Sequence, residues 1–160
     1  MAIDKNKMIY RKKVSGVILN SENSILLVQL HVYKENEWNV PGGGIENDES
    51  PDMAIFRELQ EELGTKKFEL IEQSTIVYSY DFPDELIEKI ILEGKNFRGQ
   101  EQIQFILRFR GDDTDIKLQN DEVRKYKWVS VNELKSHLLF PNQWENIVEV
   151  LEKSSINITE

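Results

Sequence analysis

Residues 50–64, SPDMAIFRELQEELG, constrain the chain more than any other stretch. Ser50 stands where an N-cap belongs, Pro51 suits the first helical position, and Gly64 follows the last periodic residue. The segment therefore predicts a helix with both ends defined. At roughly 100° per residue, Ile55, Phe56, Leu59 and Leu63 fall within an arc of roughly 100°, the face a helix turns toward a core. Glu58, Glu61 and Glu62 fill a neighbouring arc of similar width. Carboxylates three and four residues apart cost an isolated helix about 0.2–0.5 kcal/mol per pair. Glu61 and Glu62 also lie in the last turn, where the helix dipole favours cations, and Arg57 is the only cation on the helix. Spacing alone leaves two explanations open: an acidic solvated face, or a site for a divalent cation, which prefers such hard oxygen ligands.

Strand-like segments surround this helix. KVSGVILN (13–20) and SILLVQL (24–30) read as strands joined by the polar turn SENS (21–24). WNVPGGGIENDES (38–50) reads as a glycine-rich loop, and KFELIEQSTIVYSY (67–80) as one or two strands. An insertion, 81–99, has some helical character, QIQFILRFRG (102–111) alternates like a strand, and YKWVSV (126–131) is a short one. VNELKSHL (131–138) and NQWENIVEVLEK (142–153) look like closing helices. No repeat or linker interrupts 1–160, so one α/β domain with a mixed sheet between helices is expected.

Composition removes several classes of function. A net charge of −9 argues against indiscriminate nucleic-acid binding, DNA included, which needs a basic face. It leaves room for a polyphosphate whose charge metal ions neutralise. With no cysteines, disulfides and thiolate metal sites are excluded, which fits a reducing cytoplasm. The opening MAIDKNKMIYRKK has no apolar signal region, and no apolar run approaches a membrane span, so no membrane association is expected. His31 and His137 show no ligand spacing and read as ordinary histidines.

The loop before the helix favours the cation explanation. PGGG (41–44) offers backbone free of side chains, open to close approach by a metal or phosphate. The order then runs Gly43, five residues, Glu49, seven residues, Arg57-Glu58-Leu59, one residue, Glu61-Glu62, one residue, Gly64. This string resembles the box of the Nudix hydrolases, G-x5-E-x7-REU-x-EE-x-GU, where U is a bulky aliphatic residue. It departs only at the last position of 43–65, where Thr65 stands and bears on packing below the helix.

The resemblance implies an α/β/α sandwich that hydrolyses a nucleoside diphosphate linked to another group, using Mg²⁺ or Mn²⁺. By that resemblance Glu58, Glu61 and Glu62 are metal ligands, one of them able to act as base, and the carbonyl around Gly43 reaches a metal. Arg57 orients a carboxylate, Glu49 or Glu58. Glu122, just before a strand, is the candidate for a further catalytic and metal-binding carboxylate.

Outside the box, YRKKVSGVILN (10–20), YSYDFPDELI (78–87), NFRGQEQIQFILRF (96–109), DEVRKYKWVSVNEL (121–134) and LLFP (138–141) occur in the order seen in the family's bacterial RNA pyrophosphohydrolase group. Members of that group are also described as dinucleoside oligophosphate hydrolases. The resemblance makes Arg11, Gln100, Gln102 and Phe140 candidate substrate contacts and a nucleotide or 5′-triphosphate RNA the expected substrate. A nucleoside triphosphate or nucleotide sugar, or a non-catalytic binding module, are the alternatives. Departures at Gly42, Glu101, Ile103, Gln104 and Pro141, several of them lost cations, suggest an altered substrate groove around an intact metal site.

Overall fold

The computed structural model describes residues 3–118, 121–140 and 142–156. Strand β1 (Ile9–Leu19) leads into β2 (Ile25–Leu30), then a three-residue strand β3 (Gly42–Gly44) and helix α1 (Pro51–Leu63). Next come β4 (Phe68–Asp81), α2 (Asp84–Leu92), β5 (Phe97–Phe109), β6 (Val123–Val129) and α3 (Gln143–Glu152). The sheet runs β4-β5-β1-β2-β6, with β3 attached to β1. β1 and β5 pair in parallel, and the other pairs are antiparallel.

β1 is buried on both faces from Val14 to Leu19, so its apolar run does not alternate with polar residues. Val14 and Ile18 join Ala54, Ile55, Leu59 and Leu63 of α1 in one core layer. Val17 and Leu19 join Ile147, Val150 and Leu151 of α3 in the other. The expected sandwich, helix on each side of a mixed sheet, is what the chain forms. Phe56 is only partly buried, and Ala54 takes its place in the fully covered stripe of α1.

Local signals set the ends of α1: Ser50 Oγ accepts from the Met53 amide, and Gly64 closes the helix at φ 73°. A Cβ at Gly64 would lie 2.3 Å from the Lys117 carbonyl oxygen, so both conformation and space require glycine. Several segments differ from expectation, and β1 and β5 begin at Ile9 and Phe97, earlier than the strand patterns at 13 and 102. Residues 42–44 are a strand, because β1 has a free edge where β2 diverges from it. Residues 131–136 form a 3₁₀ turn instead of a closing α-helix, and β6 begins at Val123, three residues earlier than its sequence pattern suggests.

The divergence positions the site. β1 and β2 share only the Leu19–Ile25 register beside their turn, after which the gap between them is filled by 38–44. Asn39 bridges to Val28 on one side while Gly42–Gly44 pair with Lys13–Ser15 on the other. A sheet forked in this way has a cavity between its prongs. No helix among the described residues is long and apolar enough to cross a membrane.

Candidate active site

The cavity in the fork holds about 310 Å³ and is lined by Arg11, Gly43, Glu58, Glu61, Glu62, Gln102 and Glu122, among others. Four carboxylates, three from α1 and Glu122 just before β6, thus share one space. Glu62 lies deepest, 4% exposed, with Oε1 accepting the Gly42 amide proton at 2.9 Å. Burial, reinforced by the negative charges of Glu58 and Glu122, pushes its carboxyl up to about 8. Burial also raises Glu58, although Arg57 pulls the other way.

Arg57 relieves much of the repulsion along the helix. Its Nε donates to Glu49 Oε2 at 2.7 Å, its Nη2 to Glu49 Oε1 at 3.0 Å and to the Gly44 carbonyl at 2.8 Å. Nη1 reaches Glu58 at 3.0 Å and Glu61 at 3.2 Å. One guanidinium therefore ties the strand–helix loop to two of the three helix carboxylates and leaves Glu62 to the Gly42 amide. Held this way, no three acidic or histidine side chains among the described residues converge on a single point. The donor set still suits a hard divalent cation: several carboxylate oxygens line one cavity, beside a backbone that permits close approach. A Cβ at Gly43 would sit 2.2 Å from Glu58 Cδ, so only glycine leaves that carboxylate its place.

Arg11 lines the cavity, its guanidinium over Gly44, where an added Cβ would lie 2.9 Å from Nη2. Gln102, 5% exposed, lines it too. Gln100 lies farther out and accepts a 2.7 Å bond from the Tyr80 hydroxyl. Phe140 is half-buried and stacks on Tyr80 with ring centroids 5.0 Å apart. Neither Gln100 nor Phe140 lines the cavity. Tyr78 is buried beneath Tyr80.

The departures separate by location. Ile103 packs against the α1 core, and Gln104 exchanges two hydrogen bonds with Asn146 of α3, at 3.1 and 2.6 Å, so both serve packing. Gly42 is required by its neighbours, since a Cβ there would meet the Val14 carbonyl oxygen at 2.1 Å. Pro141 lies outside the described residues.

Sequence reasoning passed over Lys13, Ser15, Tyr33 and Asn39, which also line the cavity. The loop carrying Tyr33 is organised by Gln29, fully buried, whose Nε2 donates to the carbonyls of Lys34, Glu35 and Glu37. Gln29 Oε1 in turn accepts from Arg124. A lone glutamine inside an apolar strand was the available signal. His137 is absorbed by its turn, with Nδ1 against the Glu133 carbonyl, and His31 is exposed.

Comparison with known proteins places this geometry among relatives. A family model described as "NUDIX domain" matches residues 9–151. The RNA pyrophosphohydrolase of Rickettsia canadensis is 41% identical over 132 residues, 81% of each chain. Among solved structures, the E. coli dihydroneopterin triphosphate pyrophosphohydrolase superposes with a TM-score of 0.65 at 16% identity, covering 91% of this chain and 97% of that one. A C. elegans Ap4A hydrolase gives 0.63 at 15% identity, covering 86% and 93%. At such identities the two structures speak for the fold alone.

Proposed function

The chain belongs to the Nudix family, and from that premise we propose that it hydrolyses a pyrophosphate bond of a nucleotide, with the 5′-triphosphate end of RNA as its first substrate. The observation that carries this reading is the gathering of Glu58, Glu61, Glu62 and Glu122 around one cavity, with Glu62 buried beneath a backbone amide. Burying a carboxylate is costly unless something compensates its charge. A divalent cation would do so.

Glu58, Glu61, Glu62 and Glu122, with the Gly43 carbonyl, would hold Mg²⁺ or Mn²⁺, which shields the polyanion and lowers the pKa of the attacking water. One of the cavity carboxylates, Glu58 among them, accepts the proton of that water. Arg57 keeps Glu49 and Glu58 in place, a positioning role. Arg11 and Gln102 meet the phosphates, while Phe140 and Tyr80 offer a stacking surface for a base outside the cavity. Water adds to phosphorus, the bridging P–O bond breaks, and a 5′-monophosphate end and pyrophosphate leave. Relatives at about two-fifths identity that bear the name RNA pyrophosphohydrolase support this choice of substrate.

A panel of 5′-triphosphate RNA, diadenosine tetraphosphate, nucleoside triphosphates and nucleotide sugars, each with Mg²⁺ or Mn²⁺, tests it. Pyrophosphate released fastest from the RNA is the expected result. Turnover of none would leave a binding module in its place.

A further inference from the structure

Lys13 and Ser15 line the cavity but have no part in the arrangement described above. Lys13 and Ser15 follow Arg11 at alternate positions of β1, so the three share one face of the strand. α1 packs on the opposite face, through Val14 and Ile18. The helix carboxylates therefore approach the cavity from one side of the sheet, and a row of cation, cation and hydroxyl from the other. Parallel register sets Gln102 of β5 beside Lys13.

Ser15 is 4% exposed, and its Oγ is the one buried side-chain polar atom without a hydrogen-bond partner among the described residues. An unsatisfied buried hydroxyl costs about 1–3 kcal/mol, and alanine would occupy the same place without that cost. Burial and the neighbouring Arg11 disfavour the charge of Lys13, Glu62, Glu58 and Glu122 favour it from a distance, and among the described residues no carboxylate bonds to it. A cation and a hydroxyl donor thus stand uncommitted in a cavity already supplied with carboxylates.

We infer that Lys13, Ser15 and Gln102 form a subsite for the terminal, unesterified phosphate of the substrate, and that it selects substrates ending in a free phosphate. The inference rests on the reading of the cavity as a pyrophosphohydrolase site. An ammonium, a hydroxyl and an amide supply donors for the three outer oxygens of such a phosphate, and bonds to its charge are the strong ones. Val28, Leu30 and Val40 add an apolar wall to the same cavity, so its polar contacts to a phosphate come from this row and from the carboxylates. A pyrophosphate esterified at both ends, as in ADP-ribose or diadenosine tetraphosphate, has no such terminus to offer.

Calorimetric titration of the Mg²⁺-loaded protein with inorganic tripolyphosphate, and separately with ADP-ribose, tests the subsite without depending on turnover. Lys13→Met should weaken tripolyphosphate binding about tenfold or more, and Ser15→Ala about three- to tenfold. ADP-ribose binding should change less than about twofold or be too weak to measure in all forms, either of which supports the selection. Circular dichroism checks the fold, and Lys13→Gln replaces Lys13→Met should the latter fail to fold. Unchanged tripolyphosphate affinity in folded Lys13 variants overturns the subsite, as does an equal loss on both ligands. A wild type that hydrolyses nothing yet binds tripolyphosphate through Lys13 refutes the hydrolase reading alone. One that hydrolyses 5′-triphosphate RNA while its Lys13 variants bind tripolyphosphate normally refutes the subsite alone.

Discussion

Replacing Glu62 by glutamine should make the metal-free protein more stable, and increasingly so as pH rises. In the folded, metal-free protein burial holds the Glu62 carboxyl protonated up to about 8, against 4.5 for the ordinary group. Between those values the folded form binds the proton and the unfolded chain does not, so stability is lost as pH climbs through the window. At about 1.4 kcal/mol per pH unit, a gap of about 3.5 amounts to as much as about 5 kcal/mol once Glu62 is ionised. Glutamine carries no charge at any pH, and its carbonyl oxygen can still accept the Gly42 amide. Urea unfolding with a chelator present should give nearly equal stabilities for the two proteins near about pH 5, and a difference of several kcal/mol above about pH 8. Adding Mg²⁺ should then raise the melting temperature of wild type more than that of Glu62→Gln, because only wild type can offer the ion the Glu62 carboxylate. A stability difference that is flat across pH would refute the reasoning. Equal Mg²⁺ shifts would show that the ion binds without Glu62.

Other substitutions probe the parts around it. Arg57→Lys cannot keep both bonds to Glu49 together with those to Gly44 and Glu58, so urea unfolding should show a loss of about 2–3 kcal/mol. Its kcat should fall about 10- to 100-fold with little change in KM, since the displaced groups are carboxylates and not substrate contacts. Gly43→Ala puts a Cβ 2.2 Å from Glu58 Cδ, and the Mg²⁺ concentration giving half-maximal activity should rise about tenfold in a protein of unchanged circular dichroism. Unaltered metal activation would remove Glu58 from the site. Phe140→Ala should raise KM for the RNA substrate at least about fivefold, the loss of one base stack. An unchanged KM with a lower melting temperature would make Phe140 a packing partner of Tyr80 only.

How far the sequence discloses such a site depends on how local each cause is. Helix α1 is legible because its caps, its period and its stop lie within fifteen residues of one another. The pairing of Arg57 with Glu61, one turn away, follows from the same period, but its reach to Glu49 and the Gly44 carbonyl depends on how the loop folds back. β3 could not be read at all. Three glycines have little strand preference, and they pair only because β1 lacks β2 as a neighbour on the N-terminal side of Leu19. The depth of Glu62 follows from that same strand: its place at the edge of the apolar arc is visible in the helix period, whereas the covering amide belongs to Gly42. Glu122 reaches the cavity because β6 pairs along β2, a contact across some ninety residues that no local pattern encodes. Lys13 and Ser15 stand between these cases. Their alternation with Arg11 puts all three on one face of a strand, a fact of spacing, but Val14 to Leu19 are buried on both sides and the apolar run conceals which face meets the helix. Only the packing of Val14 and Ile18 on α1 resolves it, and that packing turns a run of basic residues into the side of the cavity opposite the carboxylates.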